Sequence, residues 1–171
     1  MYLAAVLLQC WFLLLGSADA FIASSTSRHV DMALGSTPPV KPTVGIEITR
    51  VPDRKASADW ELDCYSRPVV AMGGKKLWEV LITDSTGSFR FLKTLPSNQV
   101  NSKELRATVE ELMEQADVKP NTIRYFRGAM FNMIKIALSD LDVVGRPSRC
   151  TYAVAQWLEQ RHRDTYPNME G

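Results

Sequence analysis

The chain has 171 residues, with 20 Lys and Arg against 19 Asp and Glu, and its formal net charge is +1. Hydrophobic residues make up 46% and charged residues 23% of it, which excludes a wholly disordered chain. A chain of this length folds into one domain with extensions or into two small domains.

A signal peptide is predicted at the start of the chain. Residues 3–15 are apolar except for Gln9, and small residues follow as far as Ala18-Asp19-Ala20. An apolar run before an A-x-A site is typical of secretory signal peptides, and this run is shorter than the roughly 20 residues that a membrane span needs. We therefore predict a signal peptide over residues 1–20; the alternatives are an uncleaved anchor and a buried helix.

The segment after the signal peptide has the composition of a plastid transit peptide. From Phe21 to Val44 it is rich in Ser, Thr and Pro, and Asp31 is its only acid. Phe21 directly after the signal peptide resembles the two-part leaders of algae whose plastid came from a red alga. We predict a transit segment or linker over residues 21–57 and a mature domain over residues 58–171, located in the plastid stroma. The alternative is a secreted protein with a flexible N-terminal linker.

The predicted mature domain is electrically neutral. Five of the 20 bases and four of the 19 acids precede Ala58, so 15 of each remain. Domains that bind nucleic acid through bulk charge carry a clear basic excess, so any such binding here has to come from a local patch.

The remaining cysteines and histidine limit the chemistry that the domain can perform. Cys64 and Cys150 are too far apart for a C-x-x-C metal or redox motif, and we expect each to be a lone buried thiol. His162 is the only histidine after residue 57, which argues against His-based catalytic triads and metal sites. We expect no metal site and no cofactor.

Three strand patterns open the mature domain. Residues 60–65 alternate apolar and polar side chains, residues 76–83 mix Leu, Trp, Val and Ile, and residues 88–92 follow the turn peptide Asp84-Ser85-Thr86-Gly87. Such runs separated by turn residues predict a three-stranded antiparallel meander.

A capped helix is predicted after the three strands. Asn101 is placed to cap its start, with Glu104 as the reciprocal partner, and Pro120 follows its end. Apolar residues at helical spacing predict the buried face of this helix. They are Leu105, Val109, Leu112, Met113 and Ala116.

A strand and two further helices complete the predicted domain. Residues 122–126 predict a strand, and residues 128–142 a helix closed by Gly145 and Pro147. Residues 153–163 predict a last helix whose buried side consists of Val154, Trp157 and Leu158. The order is strand-strand-strand-helix-strand-helix-helix, which indicates an α+β or α/β domain. Ribonuclease H-like folds have this order of elements, an analogy without functional weight.

Peptides spread over residues 59–167 together resemble one protein family. In chain order they are Trp60-Glu61-Leu62-Asp63-Cys64-Tyr65-Ser66-Arg67-Pro68, Lys75-Lys76-Leu77-Trp78-Glu79, Asp84, Val100-Asn101-Ser102, Ile123-Arg124-Tyr125-Phe126-Arg127, Asn132-Met133-Ile134, Pro147-Ser148-Arg149, Trp157-Leu158 and Tyr166-Pro167. They resemble the Tab-type plastid RNA-binding proteins, whose best-known members promote translation of a photosystem I reaction-centre subunit. Cys64 departs from the family, which usually has Phe at this position.

The resemblance implies a function that composition does not. It implies a protein without catalytic activity that binds the AU-rich 5′ leader of a plastid photosystem I messenger. It also implies other translation factors as partners and no membrane attachment in the mature form. Family members continue into a second domain, which we expect to be absent from this chain.

Arginines and aromatic residues adjoin the predicted strands and the last helix. Arginine is suited to phosphates and to stacking on bases, and single-stranded RNA is commonly held by such interleaved side chains. We predict RNA contact by six residues, with the arginines forming a patch that faces the phosphates. The six are Tyr65, Arg67, Arg124, Tyr125, Arg127 and Arg149. The alternative is that Phe126 belongs to the core, that Tyr65 is half-buried, and that the arginines pair with Glu61, Asp63 and Glu79.

Two other functions are open on the sequence alone. Asp63, Asp84 and Glu104 are carboxylates that could converge on two Mg²⁺ ions in a ribonuclease H-like nuclease. The first helix also presents an acidic face, which suits either solvent or a basic protein partner. Its acids are Glu104, Glu110, Glu111, Glu114 and Asp117.

Overall fold

The computed structural model describes residues 45–71 and 73–169. Within this part of the chain, the elements in sequence order are β1 (Ile46–Arg50), β2 (Asp59–Ala71), β3 (Lys75–Asp84), β4 (Phe89–Pro96), α1 (Ser102–Gln115), β5 (Thr122–Tyr125), α2 (Phe131–Leu138), β6 (Val144–Pro147) and α3 (Tyr152–Gln160). The predicted signal peptide and the transit segment as far as Val44 lie outside the described residues, and the predicted domain boundaries stay predictions. No helix in the described part is long and apolar enough to cross a bilayer.

The six strands form one mixed sheet in the order β1-β4-β3-β2-β5-β6. The pairs β1–β4, β4–β3 and β3–β2 are antiparallel, whereas β5 runs parallel to β2 and β6 runs parallel to β5. A mixed sheet with three α-helices confirms the predicted α+β class.

Helices cover both faces of the sheet because the strands alternate their side chains between two cores. Trp60 and Leu62 point to the core under α1 and α2, whereas Tyr65 and Leu81 point to the core under α3. Trp157 lies in the second core, as the helical spacing predicts.

The sequence prediction missed the edge strand β1. Its residues pair with Phe89–Lys93 of β4, and the following loop is fixed because the Val51 amide donates to the Ser88 carbonyl at 2.8 Å and the Ser57 amide to Asp84 at 2.8 Å. The composition of residues 21–57 hid this strand, because the alternation of Ile46 and Ile48 with polar residues lasts for only five residues.

The sequence prediction was also wrong about Gly145 and Pro147, which belong to β6 and do not close a helix. The helix α2 ends at Leu138, well before the predicted end near Asp142. Proline is tolerated in β6 because this strand lies at the sheet edge. Gly145 permits close packing, since a Cβ there would lie 3.2 Å from Leu138 Cδ1.

The predicted cap of α1 is confirmed in one of its two halves. Asn101 Oδ1 accepts a hydrogen bond from the Glu104 amide at 2.9 Å. The Glu104 carboxylate does not return the bond, because it accepts from Lys93 Nζ on β4 at 2.9 Å, a charge-assisted contact.

The two cysteines differ in environment. Cys64 is buried, and burial raises the pKa of its thiol to about 12, so it behaves as a small apolar side chain. Cys150 is exposed, and the prediction that it is buried was wrong because it precedes α3 in a surface loop.

A fully buried carboxylate fixes the end of the chain against the sheet. Glu79 on β3 accepts hydrogen bonds from Arg161 Nε at 3.0 Å and Nη2 at 2.7 Å, and from the Tyr166 hydroxyl at 2.6 Å. Arg67 and Tyr65 of β2 donate to the same carboxylate. Glu79 therefore joins two strands to the π-helical turn Arg161–Thr165 that follows α3.

Glu79→Gln is expected to destabilise the fold by about 3–5 kcal/mol, because it leaves two buried guanidiniums without a counter-charge. Urea unfolding at neutral pH measures the change. The control is Glu159→Gln, an exposed residue on α3, for which we expect a change within about 0.5 kcal/mol. Equal stabilities of the two variants would contradict this account of Glu79.

Candidate nucleic-acid interface

The six residues predicted to contact RNA divide between the interior and the surface. Tyr65, Tyr125 and Arg67 are 5%, 2% and 6% exposed, respectively. Arg67 donates to Glu79 and to Thr94 Oγ1, the latter at 2.7 Å, and burial raises the pKa of Tyr125. The structure therefore does not bring Arg67 or Tyr125 to a surface where a phosphate or a base could reach them.

Arg124 and Arg127 lie on the α3 side of the sheet, each paired with a carboxylate of β2. Arg124 binds Asp59 through two contacts of 2.9 and 2.5 Å. Arg127 binds Asp63 through two hydrogen bonds of 2.7 and 2.6 Å, which raise the pKa of its guanidinium. Of the three acids named in the alternative prediction, Asp63 and Glu79 do pair with arginines. The partner of Arg124 is Asp59, an acid which that prediction did not name.

The ring of Tyr65 packs against the guanidinium of Arg127. The Arg127 guanidinium carbon lies 5.2 Å from the centre of the Tyr65 ring, a distance typical of cation–π contacts. About a third of the side chains of Arg124 and Arg127 stays exposed, at 30% and 37%. Their unpaired N–H groups can therefore still meet a ligand from solvent.

Glu61 lies on β2 between these two acids and holds the start of α3. Its Oε2 accepts a hydrogen bond from the Val154 amide at 2.8 Å, whereas Thr151 provides no side-chain cap. A carboxylate at a helix N-terminus also meets the positive end of the helix dipole. Even so, burial raises the pKa of Glu61, since desolvation is the largest influence on it.

Two aromatic side chains stand exposed where β5 ends and α3 begins. Phe126 is 59% and Tyr152 is 74% exposed. The Arg149 guanidinium carbon lies 5.9 Å from the centre of the Phe126 ring, and the Ser148 amide donates to the Tyr125 carbonyl at 2.9 Å, which holds the intervening loop against β5.

Arg146 extends this surface along the sheet edge. It lies beside Arg124 in the parallel pairing of β5 and β6, so both side chains point to the α3 side of the sheet. Within the described part of the chain, neither Arg146 nor Arg149 takes part in an ion pair. We call the whole region the arginine–aromatic surface. Its members are Arg124, Phe126, Arg127, Arg146, Arg149 and Tyr152.

The sequence prediction named three members of this surface and missed three. Phe126 was placed in the core by the alternative prediction, although it follows Tyr125, whose side chain is buried and points to the other face. Tyr152 opens the last helix two residues before the buried Val154, so helical spacing indicates its exposure. Arg146 was not identified because β6 was not predicted.

The carboxylates of the nuclease alternative are separated and engaged elsewhere. Asp84 accepts from the Ser57 amide at 2.8 Å and the Ser88 amide at 2.6 Å, whereas Asp63 pairs with Arg127 and Glu104 with Lys93. Over residues 45–71 and 73–169, no group of three His, Cys, Asp or Glu side chains is placed to hold a metal ion. The geometry therefore gives no support to the alternative function, a two-metal nuclease.

Comparison with known proteins identifies the family. Residues 59–161 match the family described as "RNA-binding protein Tab2/Atab2 N terminal". The chain belongs to this Tab2-like family. It is 37% identical over 120 residues to the protein TAB2 homolog, chloroplastic, of Zea mays, and 32% identical over 120 residues to the protein of that name from Arabidopsis thaliana. These matches confirm the resemblance on which the sequence prediction rests.

The Tab2-like chain is much shorter than these relatives. The matched segments cover 70% of this chain but 31% of the maize protein and 32% of the Arabidopsis protein. Solved structures show weaker likenesses. One is a simian T-cell lymphotropic virus intasome in complex with PP2A regulatory subunit B56 gamma, with a TM-score of 0.44, 11% identity and coverage of 66% of this chain and 43% of that one. Another is the catalytic core domain of BIV integrase, with a TM-score of 0.39, 15% identity and coverage of 64% and 66%. Neither likeness bears on function.

Glu61→Gln is expected to change how stability depends on pH. Because the pKa of Glu61 is raised in the fold, the folded chain binds this proton more tightly than the unfolded chain does. The wild type therefore loses stability as the pH rises from the ordinary pKa of 4.5 towards neutrality, and the always neutral Gln does not.

Urea unfolding of both proteins over this pH range measures the difference. The stability of Glu61→Gln relative to wild type should rise with pH and then level off above the raised pKa. Parallel pH profiles would contradict the assignment.

Proposed function

We propose that this chain is the RNA-binding N-terminal domain of a plastid translation factor and that it binds single-stranded RNA through the arginine–aromatic surface. Family membership supports RNA as the ligand, because the family is described as RNA-binding. The chloroplastic relatives support the plastid as the location. The observation that carries the proposal is the exposed pair Phe126 and Tyr152 set among arginines at one edge of the sheet.

Local charge explains how a neutral domain binds a polyanion. Arg146 and Arg149 are exposed and in no described ion pair, so they supply the positive charge that attracts phosphates. Arg124 and Arg127 are already neutralised by Asp59 and Asp63, and they contribute directed N–H donors more than net charge. The surface therefore combines electrostatic attraction with fixed hydrogen-bond geometry.

The aromatic side chains select single strands over duplexes. A base stacked on an exposed ring contributes about 1–3 kcal/mol, and only unpaired bases can stack in this way. Because every base has a π-face, Phe126 and Tyr152 provide affinity without sequence preference. An AU-rich leader suits this surface because weak pairing leaves its bases available.

The finer proposal concerns the messenger and the location. We propose that the target is the 5′ leader of a plastid photosystem I messenger, that the domain acts with other translation factors, and that a two-part leader delivers the protein to the stroma. Binding that holds the messenger leader single-stranded would keep it accessible to the ribosome, which gives the domain a role in promoting translation without catalysis.

Phe126→Ala is expected to weaken binding of a single-stranded A- and U-containing RNA by about 1–3 kcal/mol, because one stacking surface is lost.

Arg149→Ala should reduce the slope of log affinity against log salt by about 0.7, the value for one phosphate contact on a single strand. Fluorescence anisotropy at several salt concentrations measures both. The control is Arg163→Ala, which removes an exposed arginine that pairs with Asp164; its affinity and slope should stay close to wild type. If all three variants bind alike, the surface is not the RNA site.

Arg127 needs a design that separates RNA contact from folding. Arg127→Ala alone leaves Asp63 without its partner, so it should lose both stability and RNA affinity. In the double variant Asp63→Asn with Arg127→Gln, both charges are absent, and stability should recover relative to Arg127→Ala. RNA affinity should stay low in the double variant. Full recovery of RNA binding would show that Arg127 acts only on the fold.

A further inference from the structure

A groove of about 400 Å³ lies beside β1, at the opposite edge of the sheet from the arginine–aromatic surface. Its walls are mainly apolar and come from β1, the loop that follows it as far as Ser57, the start of β4, and α1 with the residues after it. The apolar lining residues are Ile48, Val51, Pro52, Ala56, Phe89, Leu112, Ala116 and Val118. An ion pair between Arg50 and Asp117 lies at its rim.

The outer edge of β1 offers backbone hydrogen bonds next to this groove. The Gly45 carbonyl accepts from the Thr94 amide at 3.0 Å, and the Val51 amide donates to the Ser88 carbonyl at 2.8 Å. The two-residue period of an antiparallel ladder then directs the N–H and C=O groups of Glu47 and Thr49 towards β4. The groups of Ile46, Ile48 and Arg50 point away from the sheet, and no described strand pairs with them.

The side chains of β1 are as open as its backbone. Ile46 and Ile48 are 46% and 43% exposed. Ile48 aligns with Phe91, whose side chain lies in the core under α1, so both isoleucines point to the groove side of the sheet. An edge strand with exposed isoleucines is a ready template for another strand, and proteins usually block such edges with charge or proline.

The groove lining has balanced charge, with Arg50 and Arg54 against Asp53 and Asp117, and the excess of acid near it lies on α1. The second half of α1 carries Glu110, Glu111 and Glu114 and no base, and Asp117 follows the helix. These acids lie near the C-terminal end of α1, which is the negative end of the helix dipole. Arg50 pairs with Asp117, and Arg54 donates to the Thr86 carbonyl. Among the described residues neither arginine neutralises these three glutamates of α1, so a cation from a partner would be stabilised beside them.

We propose that β1 and the groove bind an extended segment of a partner protein that adds to the sheet as a seventh strand. Alternate apolar side chains of the segment fill the groove, and Lys or Arg side chains meet the acids of α1. Main-chain bonds to Ile46, Ile48 and Arg50 provide affinity, and the groove provides selectivity. A second copy fits less well, since pairing of two β1 strands brings two acidic α1 ends to the same side. The inference does not depend on RNA binding, because the two surfaces lie at opposite edges of the sheet.

The test uses the full chain and a short fluorescent peptide of alternating valine and lysine. The peptide should bind, and hydrogen exchange at the amides of Ile46, Ile48 and Arg50 should slow on binding. The amides of Glu47 and Thr49 should be protected already in the free protein. A peptide of alternating valine and glutamate should bind at least about tenfold more weakly.

Two variants with the same charge change provide the matched comparison. Ile48→Lys places a charge in the groove and should weaken peptide binding at least about tenfold, whereas Thr49→Lys points to the other face and should change it less than about twofold. Equal effects of the two variants would overturn the proposal. Protection of the Ile46, Ile48 and Arg50 amides in the free protein would also overturn the proposal, because the edge would already be occupied. Sedimentation would then identify the occupant. A dimer indicates a second copy, and a monomer indicates a segment of the same chain.

Discussion

Four carboxylates on the α3 side of the sheet each need a hydrogen-bond donor or a counter-charge. The groups that provide these contacts fix the positions of α3 and of the arginines beside it. Asp59, Glu61 and Asp63 share this face because they alternate along β2, and Glu79 joins them from β3. Charge cannot be buried without compensation, since the penalty for an unpaired ion is several kcal/mol. Their partners are two arginines at the end of β5, the first turn of α3 and the π-helical turn after α3.

These pairs connect the interior to the proposed binding surface. Arg127 bonds to Asp63 and lies over the ring of Tyr65, whose hydroxyl donates to the buried Glu79. Glu61 holds the α3 end that presents Tyr152. The exposed residues are thus positioned by contacts that are themselves buried, which limits their conformational freedom and lowers the entropy cost of binding.

Sequence reasoning predicted the elements whose signals are local. Alternation predicts β2, helical spacing predicts the buried side of α1 and α3, and Asn101 caps α1 as its residue type indicates. The two edge strands have no such signal: β1 has five residues, and β6 has four, including a glycine and a proline. Both exist because a neighbouring strand offers them hydrogen bonds, which is tertiary information.

The candidate site also depends on tertiary contacts that the sequence alone does not indicate. Residue type indicates that arginines and aromatic side chains lie near one another, and the structure does place Arg124, Arg127 and Arg149 towards one edge of the sheet. Residue type does not indicate which arginine forms an ion pair with a buried acid and is therefore not accessible to RNA. Arg67 and Arg127 both follow a tyrosine by two residues, yet Arg67 meets the fully buried Glu79 and Arg127 meets the partly exposed Asp63. Arg67 lies on β2 and meets a carboxylate of the neighbouring strand β3, whereas Arg127 follows β5 and meets a carboxylate of β2. The difference therefore depends on the order of the strands in the sheet.

The distribution of charge reconciles a neutral domain with a polyanionic ligand. The acids of β2 and β3 that face α3 are neutralised by arginines and by a helix end, and the second half of α1, with its three glutamates, ends beside β1, at the opposite edge of the sheet from β6. Arg146 and Arg149 are left without a described counter-charge at the opposite edge. One small sheet thus has arginines without a described counter-charge near β6 and the glutamates of α1 nearer to β1. Because exposed charges are largely screened beyond about 10 Å at moderate salt, we expect each proposed ligand to bind almost independently of the other. Net charge therefore says little about this domain, since the strand order places the proposed RNA surface and the proposed peptide groove at opposite edges of the sheet.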